Sequence, residues 1–326
     1  MSSVASELRT ALAVAVAGFP ERDLAAATAE LVARYRQPRA AQAAILSSEV
    51  RVAAYAAYRM PATQAAVQRV LDELAGHGFE PRTMLDLGGG TGAAAWAAAG
   101  SFATLESIRV VDQVPQALQL GRRLVAEASS SALRAASFER AVVGALPTAG
   151  ADLVIASYVL SELSAAQTAS LLEDMTARGR VAVVVEPGTP DGYERILGAR
   201  SHFLARGWHL LGPCPHASTC PLVGRDWCHF AARVNRSAEH RRIKGGDLSY
   251  EDEKFSWVAA AAPDVVEQGV HTGDGRILRR PVKRKGLVEF QVCRPDGTAG
   301  RSVVSKREGE RYRAARDREW GDTVPG

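Results

Sequence analysis

The sequence predicts an α/β protein built on a parallel, doubly wound sheet, with a helical region before it and a small β module after it. Three observations predict this. An apolar run, Met84–Leu87, stops at the glycine-rich turn Gly88-Gly-Gly-Thr-Gly92 and passes into an alanine-rich run, which reads as strand, tight turn and closely packed helix. Short apolar segments then alternate with helical patterns to about residue 200. Beyond that point cysteines, histidines and arginines cluster, and short strand-like runs are joined by glycine turns. The boundaries are a helical region over 1–78, a nucleoside-binding domain over 79–200 and a cysteine-rich basic module over 201–326.

Composition limits the alternatives. At 326 residues, 47% apolar and 23% charged, the chain is globular and long enough for one large core or two modest ones. Residues 1–200 carry 18 Arg and no Lys against 20 acids, a net of −2; residues 201–326 carry 22 basic against 16 acidic groups, a net of +6. The basic potential therefore belongs to the C-terminal part, where it suggests a polyanionic partner. No apolar run is long enough to span a bilayer. The stretch from Ala11 to Gly18 lacks a basic leader and reads as a helix, so the expected location is a reducing cytoplasm and the four cysteines are thiols or metal ligands.

Taken in order, residues 4–76 read as helices. Leu8, Leu12, Leu24, Leu31 and Val32 fall at helical spacings, Pro20 and Pro38 mark breaks, and Pro61 suits the first turn of a helix ending near Gly76. Tyr58 and Arg59 precede it and either face a ligand or a partner or only cap or cover the helix. Strands are expected at Met84–Leu87, Ile108–Val111, Ala141–Val143, Ala151–Ser157 and Arg180–Glu186, the last a valine-rich run suited to burial on both faces. Helices are expected from Pro115 to about Ser130 and from Ala165 to Arg178. Later strands are expected at Arg276–Leu278, Leu287–Val292 and Ser302–Ser305, with 306–319 a charged helix or disordered.

In a doubly wound sheet, ligands sit beyond the carboxyl ends of the strands. The glycines at 88, 90 and 92 give G-x-G-x-G with Asp86 just upstream, and Asp112 ends the second strand twenty residues after Gly92. A dinucleotide fold prefers G-x-G-x-x-G around its pyrophosphate. The shorter spacing with an acid before it suits S-adenosylmethionine, whose sulfonium, amine and ribose hydroxyls favour carboxylates and backbone groups. The fold so read is a Rossmann-like class I methyltransferase. The expected cofactor contacts are Asp86, Gly88, Gly89, Gly90, Gly92, Asp112 and Gln113, with Asp112 on the ribose, together with Ala145, Leu146, Ser157 and Tyr158.

Three cysteines lie in Cys214-Pro-His-Ala-Ser-Thr-Cys220-Pro-Leu-Val-Gly-Arg-Asp-Trp-Cys228-His-Phe, and Cys293 ends a predicted strand sixty-five residues later. Every thiol is placed where it can join one site of four sulfurs. Zinc sites favour C-x₂-C pairs. Gaps of five and seven with prolines suit a looser loop, and four thiolates also hold iron–sulfur clusters. Spacing leaves iron–sulfur and zinc both open, with His216 and His229 as alternative ligands. Either group would contribute folding energy to a module with little continuous hydrophobic patterning. Basic runs flank it: Arg233–Lys244 with five basic residues, Arg276–Lys285 with six and Lys306–Arg318 with six. Such strips near Trp227, Phe230, Phe255 and Trp257 suit an RNA backbone.

No residue carries an evident catalytic role. Amino-methylating enzymes of this fold often place an N/D-P-P-Y tetrapeptide after the fourth strand; here the text is Ser157-Tyr-Val-Leu160. The weak candidates are two acids, Glu162 and Glu186.

The chain resembles the methyltransferase-like proteins associated with the mitochondrial small ribosomal subunit and their bacterial relatives. The matching text is Tyr58-Arg-Met-Pro-Ala-Thr63, the Leu85–Gly92 turn, Glu186-Pro-Gly188, the Cys214–Phe230 pattern, Tyr250-Glu-Asp-Glu-Lys-Phe-Ser256 and Cys293. The likeness covers about residues 45–320. The cysteine pattern is its most specific part, whereas the glycine turn is shared by many methyltransferases. The resemblance implies S-adenosylmethionine as cofactor and a [4Fe–4S] cluster on Cys214, Cys220, Cys228 and Cys293. It also implies binding to 16S rRNA of the small ribosomal subunit, with a role in ribosome assembly, translation or rRNA methylation. A bacterial cytoplasmic member, monomeric off the ribosome and without a membrane partner, is expected.

Overall fold

In a computed structural model the chain is described over residues 3–35, 48–146, 149–235, 250–265 and 274–325. The break expected at Pro38 and the part of the first basic run from 236 to 244 lie outside the described residues, as do the side chains of Leu31 and Val32. The chain divides into two compact units, Met1–Val185 with Ala232–Glu253, and Glu186–Ala231 with Lys254–Gly326.

The first unit opens with α1 (Val4–Ala17), α2 (Glu21–Tyr35) and α3 (Glu49–Gly76). Ser3 and Ser48 cap α1 and α3 by accepting from the N–H groups of Ser6 and Arg51. Alanine lets these helices approach closely: Val16, Leu24, Ala27, Ala53, Ala54 and Ala57 form one core cluster. Contrary to the sequence reading, α3 does not begin at Pro61 but runs through it. Proline lacks the N–H that would bond the Ala57 carbonyl, a cost normally prohibitive inside a helix. Here it is offset by burial on both sides, since Met60, Ala62, Ala66 and Val67 are nearly inaccessible.

The Rossmann-like part follows as β1 (Thr83–Leu87), α4 (Ala93–Ser101), β2 (Ser107–Asp112), α5 (Pro115–Val125), α6 (Ser131–Arg134), β3 (Ser137–Arg140), β4 (Ala151–Ser157), α7 (Ala165–Arg178) and β5 (Gly179–Pro187). The strands run parallel in the order β3-β2-β1-β4-β5. The order reverses at β1, so the crevice between the β1 and β4 ends is the expected ligand position. The expected α5 is shorter than its reading and a separate turn, α6, follows it. β3 is also displaced from Ala141–Val143. Its pairing ends at Asp112↔Arg140, and the Ala141 amide then donates to the Asp112 carbonyl at 3.0 Å, turning the chain off the sheet. Val142 and Val143 serve a cleft rather than a strand.

The second unit contains α8 (Pro190–Ala205), β6 (His209–Gly212), and a five-stranded antiparallel sheet. That sheet is built from β9 (Asp274–Ile277), β10 (Val282–Arg284), β11 (Leu287–Cys293), β12 (Ala299–Ser305) and β13 (Thr323–Pro325). β11 is central, pairing with β10, β9 and β12. Ile277, Val288, Phe290, Val292, Val304 and Val324 make its core, closed by Ala315 from α9 (Glu310–Arg316). Between β6 and β9 run β7 (Phe230–Asn235) and the twelve-residue β8 (Tyr250–Ala261). β8 carries no strand signature in the sequence because its first half is nearly all charged; burial follows only from Phe255 onward.

The packing of α3 leaves no slack. Ala66 is 0% exposed, and Ala66→Leu is expected to lower stability by about 1–3 kcal/mol, read as a lower urea midpoint with an unchanged slope.

Candidate functional site

In the first unit the ends of β1, β2 and β4 frame a cleft of about 180 Å³. It is lined by Gly88, Gly89, Gly90, Asp112, Gln113, Leu146, Ser157, Tyr158 and Glu162, all singled out by the sequence, and by Tyr55, Arg59, Met60 and Thr63 of α3. Asp86, Gly92 and Ala145 are not among the lining residues. Gly92 is the α4 N-cap, with a positive φ of 85°.

The glycine turn is fastened from below. The Gly88 and Gly89 amides donate to the Val111 carbonyl at 2.9 and 3.2 Å, and the Gly90 amide donates to Asp112 Oδ2 at 2.9 Å. The other Asp112 oxygen accepts from the Val114 amide at 2.8 Å. The amides of Gly88, Gly89 and Gly90 thus point into the protein, so they are not a bare cradle for a pyrophosphate. Burial raises the Asp112 pKa, opposed by these backbone donors.

Asp86 lies beneath the turn, fully buried, with neither carboxylate oxygen hydrogen-bonded among the described residues. Burial, reinforced by the nearby Asp112 charge, pushes its pKa up to about 8. A Cβ at Gly89 would overlap that carboxylate, which explains why glycine is required there.

Glu253, near the start of β8, gathers two side chains that line the cleft. Glu253 Oε1 accepts from Arg59 at 3.0 Å and from the Tyr158 hydroxyl at 3.0 Å. The Arg59 guanidinium lies over the Tyr158 ring, 5.6 Å from its centroid. Burial works against the Arg59 charge, but the Glu253 carboxylate more than compensates and the pKa is raised. Tyr158 has φ 58°, uncommon for a bulky residue and a form of strain that gathers at functional sites. The sequence drew attention to Tyr58, Arg59 and the Tyr250–Ser256 stretch, but not to Glu253 as the residue that joins Arg59 to Tyr158.

The second unit holds the thiols. Cys214, Cys220, Cys228 and Cys293 line one small cavity of about 30 Å³, with Tyr193, Arg200, His216 and Arg276. All four are free thiols. The Tyr193 hydroxyl donates to Cys220 Sγ at 3.1 Å, and His216 Nε2 lies 3.4 Å from Cys293 Sγ. Burial, then mutual repulsion among the thiolates, raises the pKa of Cys228, and of Cys293 to about 12. For Cys214 burial is again the main cause, opposed by Arg200. Among the described residues no three His, Cys, Asp or Glu side chains gather as ligands of a single metal ion.

The loop is braced by two buried arginines. Arg200 donates to the carbonyls of His216 and Ser218 at 2.9 and 2.7 Å, and Arg276 to those of Pro213 and Gly321 at 3.0 and 2.5 Å. Arg276, first of its basic run, is therefore an internal brace. Ser256 donates to the Cys228 carbonyl at 2.7 Å. His229 stacks on Trp227 and meets Trp320 edge-on, both at 5.1 Å. It is not among the residues lining the cysteine cavity. Glu186 is also in this unit, fully buried and paired with Arg195 at 2.6 Å. Arg279 pairs with Asp226, Lys283 with Glu319, Arg301 with Glu289 and Arg311 with Glu308.

A family model described as mitochondrial small ribosomal subunit Rsm22 matches residues 49–325, a span containing both the cleft and the four thiols. The chain belongs to the Rsm22 family. It is similar to the human ribosome assembly protein METTL17, mitochondrial, at 30% identity over 289 residues, covering 83% of this chain and 62% of that protein. It is also similar to Rsm22-cox11 tandem protein 2, mitochondrial, of Schizosaccharomyces pombe (strain 972 / ATCC 24843), at 26% identity over 331 residues, covering 85% of this chain and 43% of that protein. The chain spans less than two thirds of the length of these relatives. Among solved structures, magnesium protoporphyrin IX methyltransferase from Synechocystis PCC 6803 with bound SAH gives a TM-score of 0.41 at 13% identity, covering 61% of this chain and 83% of that one. A structure titled putative RNA methyltransferase PH1948 from Pyrococcus horikoshii gives 0.40 at 12%, covering 60% and 79%. At those scores nothing is carried across, and the Rossmann-like fold of this Rsm22 member rests on its own strand order.

The Asp86 site sets a pH dependence. Protonated in the folded chain to about pH 8 but ionised above about 3.8 when unfolded, it makes stability fall as pH rises through that window. Asp86→Asn is expected to flatten that slope in urea titrations at a series of pH values, with a gain on the order of 1–3 kcal/mol at pH 8.

Proposed function

We propose that this Rsm22-family chain binds S-adenosylmethionine in the first-unit cleft, holds a [4Fe–4S] cluster on its four cysteines, and acts on the small ribosomal subunit through 16S rRNA. The carrying observation is the chemistry of the cleft. Its glycine amides turn inward, carboxylates stand on the wall at Asp112 and Glu162, and the position lies at the switch point of the parallel sheet. Such a wall suits an adenosyl ligand without a pyrophosphate. Gly88–Gly90 would take the nucleoside edge, Asp112 the ribose hydroxyls, and Ser157–Tyr158 the entry side. When bound, the cofactor supplies an electrophilic methyl group on a sulfonium.

The thiol cavity fits a polynuclear group. Four cysteines line one space beside the buried guanidinium groups of Arg200 and Arg276, a donor set that suits such a group. Zinc on the same thiols is the competing reading. Anaerobically purified protein is expected to contain iron and sulfide in equal amounts and to absorb near roughly 400 nm. Cys228→Ser is expected to lose both and to melt at lower temperature. Colourless protein with a stoichiometric zinc would reject the cluster.

Family membership and the C-terminal excess of basic residues support the subunit partner. We place the protein in the cytoplasm, where thiols stay reduced. One observation favours a non-catalytic assembly role with structural S-adenosylmethionine. Both Asp112 oxygens accept backbone N–H groups, the Tyr158 hydroxyl is engaged by Glu253, and Glu186 is paired with Arg195, which leaves Glu162 as the one of the two candidate acids on the cleft wall. Mass mapping of 16S rRNA from a deletion strain separates the two. A methyl mark lost on deletion and restored by wild type but not by Gly90→Arg identifies an enzyme. An unchanged map with defective small subunits identifies an assembly factor.

A further inference from the structure

We infer that the Arg59 guanidinium is the receptor for the carboxylate at the amino-acid end of the ligand, and so restricts the cleft to adenosyl amino acids. The inference rests on the reading of that cleft as an adenosyl site, and adds which group of the ligand α3 recognises.

Arg59 is the one arginine or lysine among the described residues lining the cleft. Its charge is secured: Glu253 holds it at 3.0 Å, the Tyr158 ring lies under it, and its pKa is raised despite burial. Yet a guanidinium carries five N–H donors, and Arg59 makes a single hydrogen bond to the described protein, to Glu253. Its side chain is only 22% exposed. A cation so pre-set, with donors left over on the wall of the cleft, suits an oxyanion of planar geometry, the form a carboxylate presents to a guanidinium.

The rest of the wall agrees. Its two acids are Asp112, held by the backbone amides of Gly90 and Val114, and Glu162. Two carboxylates and one guanidinium lining a single cleft match a ligand with ribose hydroxyls, an ammonium and a carboxylate. A terminal phosphate on an adenosine nucleotide is the other source of an oxyanion. It is disfavoured by the two acids and by glycine amides already committed inward.

Calorimetric titration of the full chain tests this with three probes: S-adenosylhomocysteine, 5′-methylthioadenosine, which lacks the amino acid, and adenosine 5′-monophosphate. Wild type is expected to prefer S-adenosylhomocysteine to 5′-methylthioadenosine by about tenfold or more, as charge-assisted hydrogen bonds give, and to bind the monophosphate more weakly than S-adenosylhomocysteine. Arg59→Met is expected to erase most of the preference by weakening S-adenosylhomocysteine alone. Arg59→Lys, which keeps the charge without the fork, retains part of it and serves if the Met variant does not fold. A preference unchanged in either variant overturns the proposal, as does a monophosphate bound as tightly as S-adenosylhomocysteine. Equal wild-type affinity for the first two probes overturns it while leaving the adenosyl reading intact. Binding of none of the three removes both.

Discussion

The carboxylate of Asp112 holds the cleft together. Lying at the end of β2, it accepts the Gly90 amide with one oxygen and the Val114 amide with the other. It therefore fixes the turn after β1 and the entry to α5 at once. Without that brace a segment so rich in glycine would sample many conformations. With it, the turn presents a defined edge to a ligand, and the oxygens keep lone pairs beyond those given to the amides. The same anion raises the cost of ionising Asp86 behind the turn. Two acids that the sequence offers as equals thus have different surroundings: one edges the cleft, the other is enclosed beneath it.

A comparable constraint governs the second unit. Four thiols share a cavity with two buried arginines whose hydrogen bonds go to loop carbonyls. Arginine suits this because it keeps its charge when buried while its planar fork satisfies several acceptors. Burial raises the pKa of Cys214, Cys228 and Cys293 above that of an ordinary thiol. As free thiols they are therefore poor nucleophiles.

The strands of the Rossmann-like part were legible because buried parallel strands are written as continuous apolar runs and the turn after β1 as glycines. Two misreadings share one physical cause, that local pattern does not reveal what covers a segment. The valines at 142 and 143 look like a strand but face a cleft, since the chain has already been turned by the Asp112 carbonyl. Pro61 looks like a helix start, yet α3 continues through it because neighbouring side chains are buried on both sides. Glu253 was invisible for a different reason. Nothing near it in the chain hints that an arginine 194 residues upstream needs a counterion.

That long separation bears on how the molecule is made. The first unit is assembled from two stretches of chain, the second inserted between them and continued after. During synthesis the parallel sheet can form early from neighbouring segments, but the carboxylate that locks Arg59 and Tyr158 emerges only after much of the intervening cysteine loop. Closing so long an excursion is entropically slow. Maturation of the cleft is thereby tied to translation of the thiol-bearing stretch, and a chain stalled before β8 would carry the Rossmann strands with an unfinished rim.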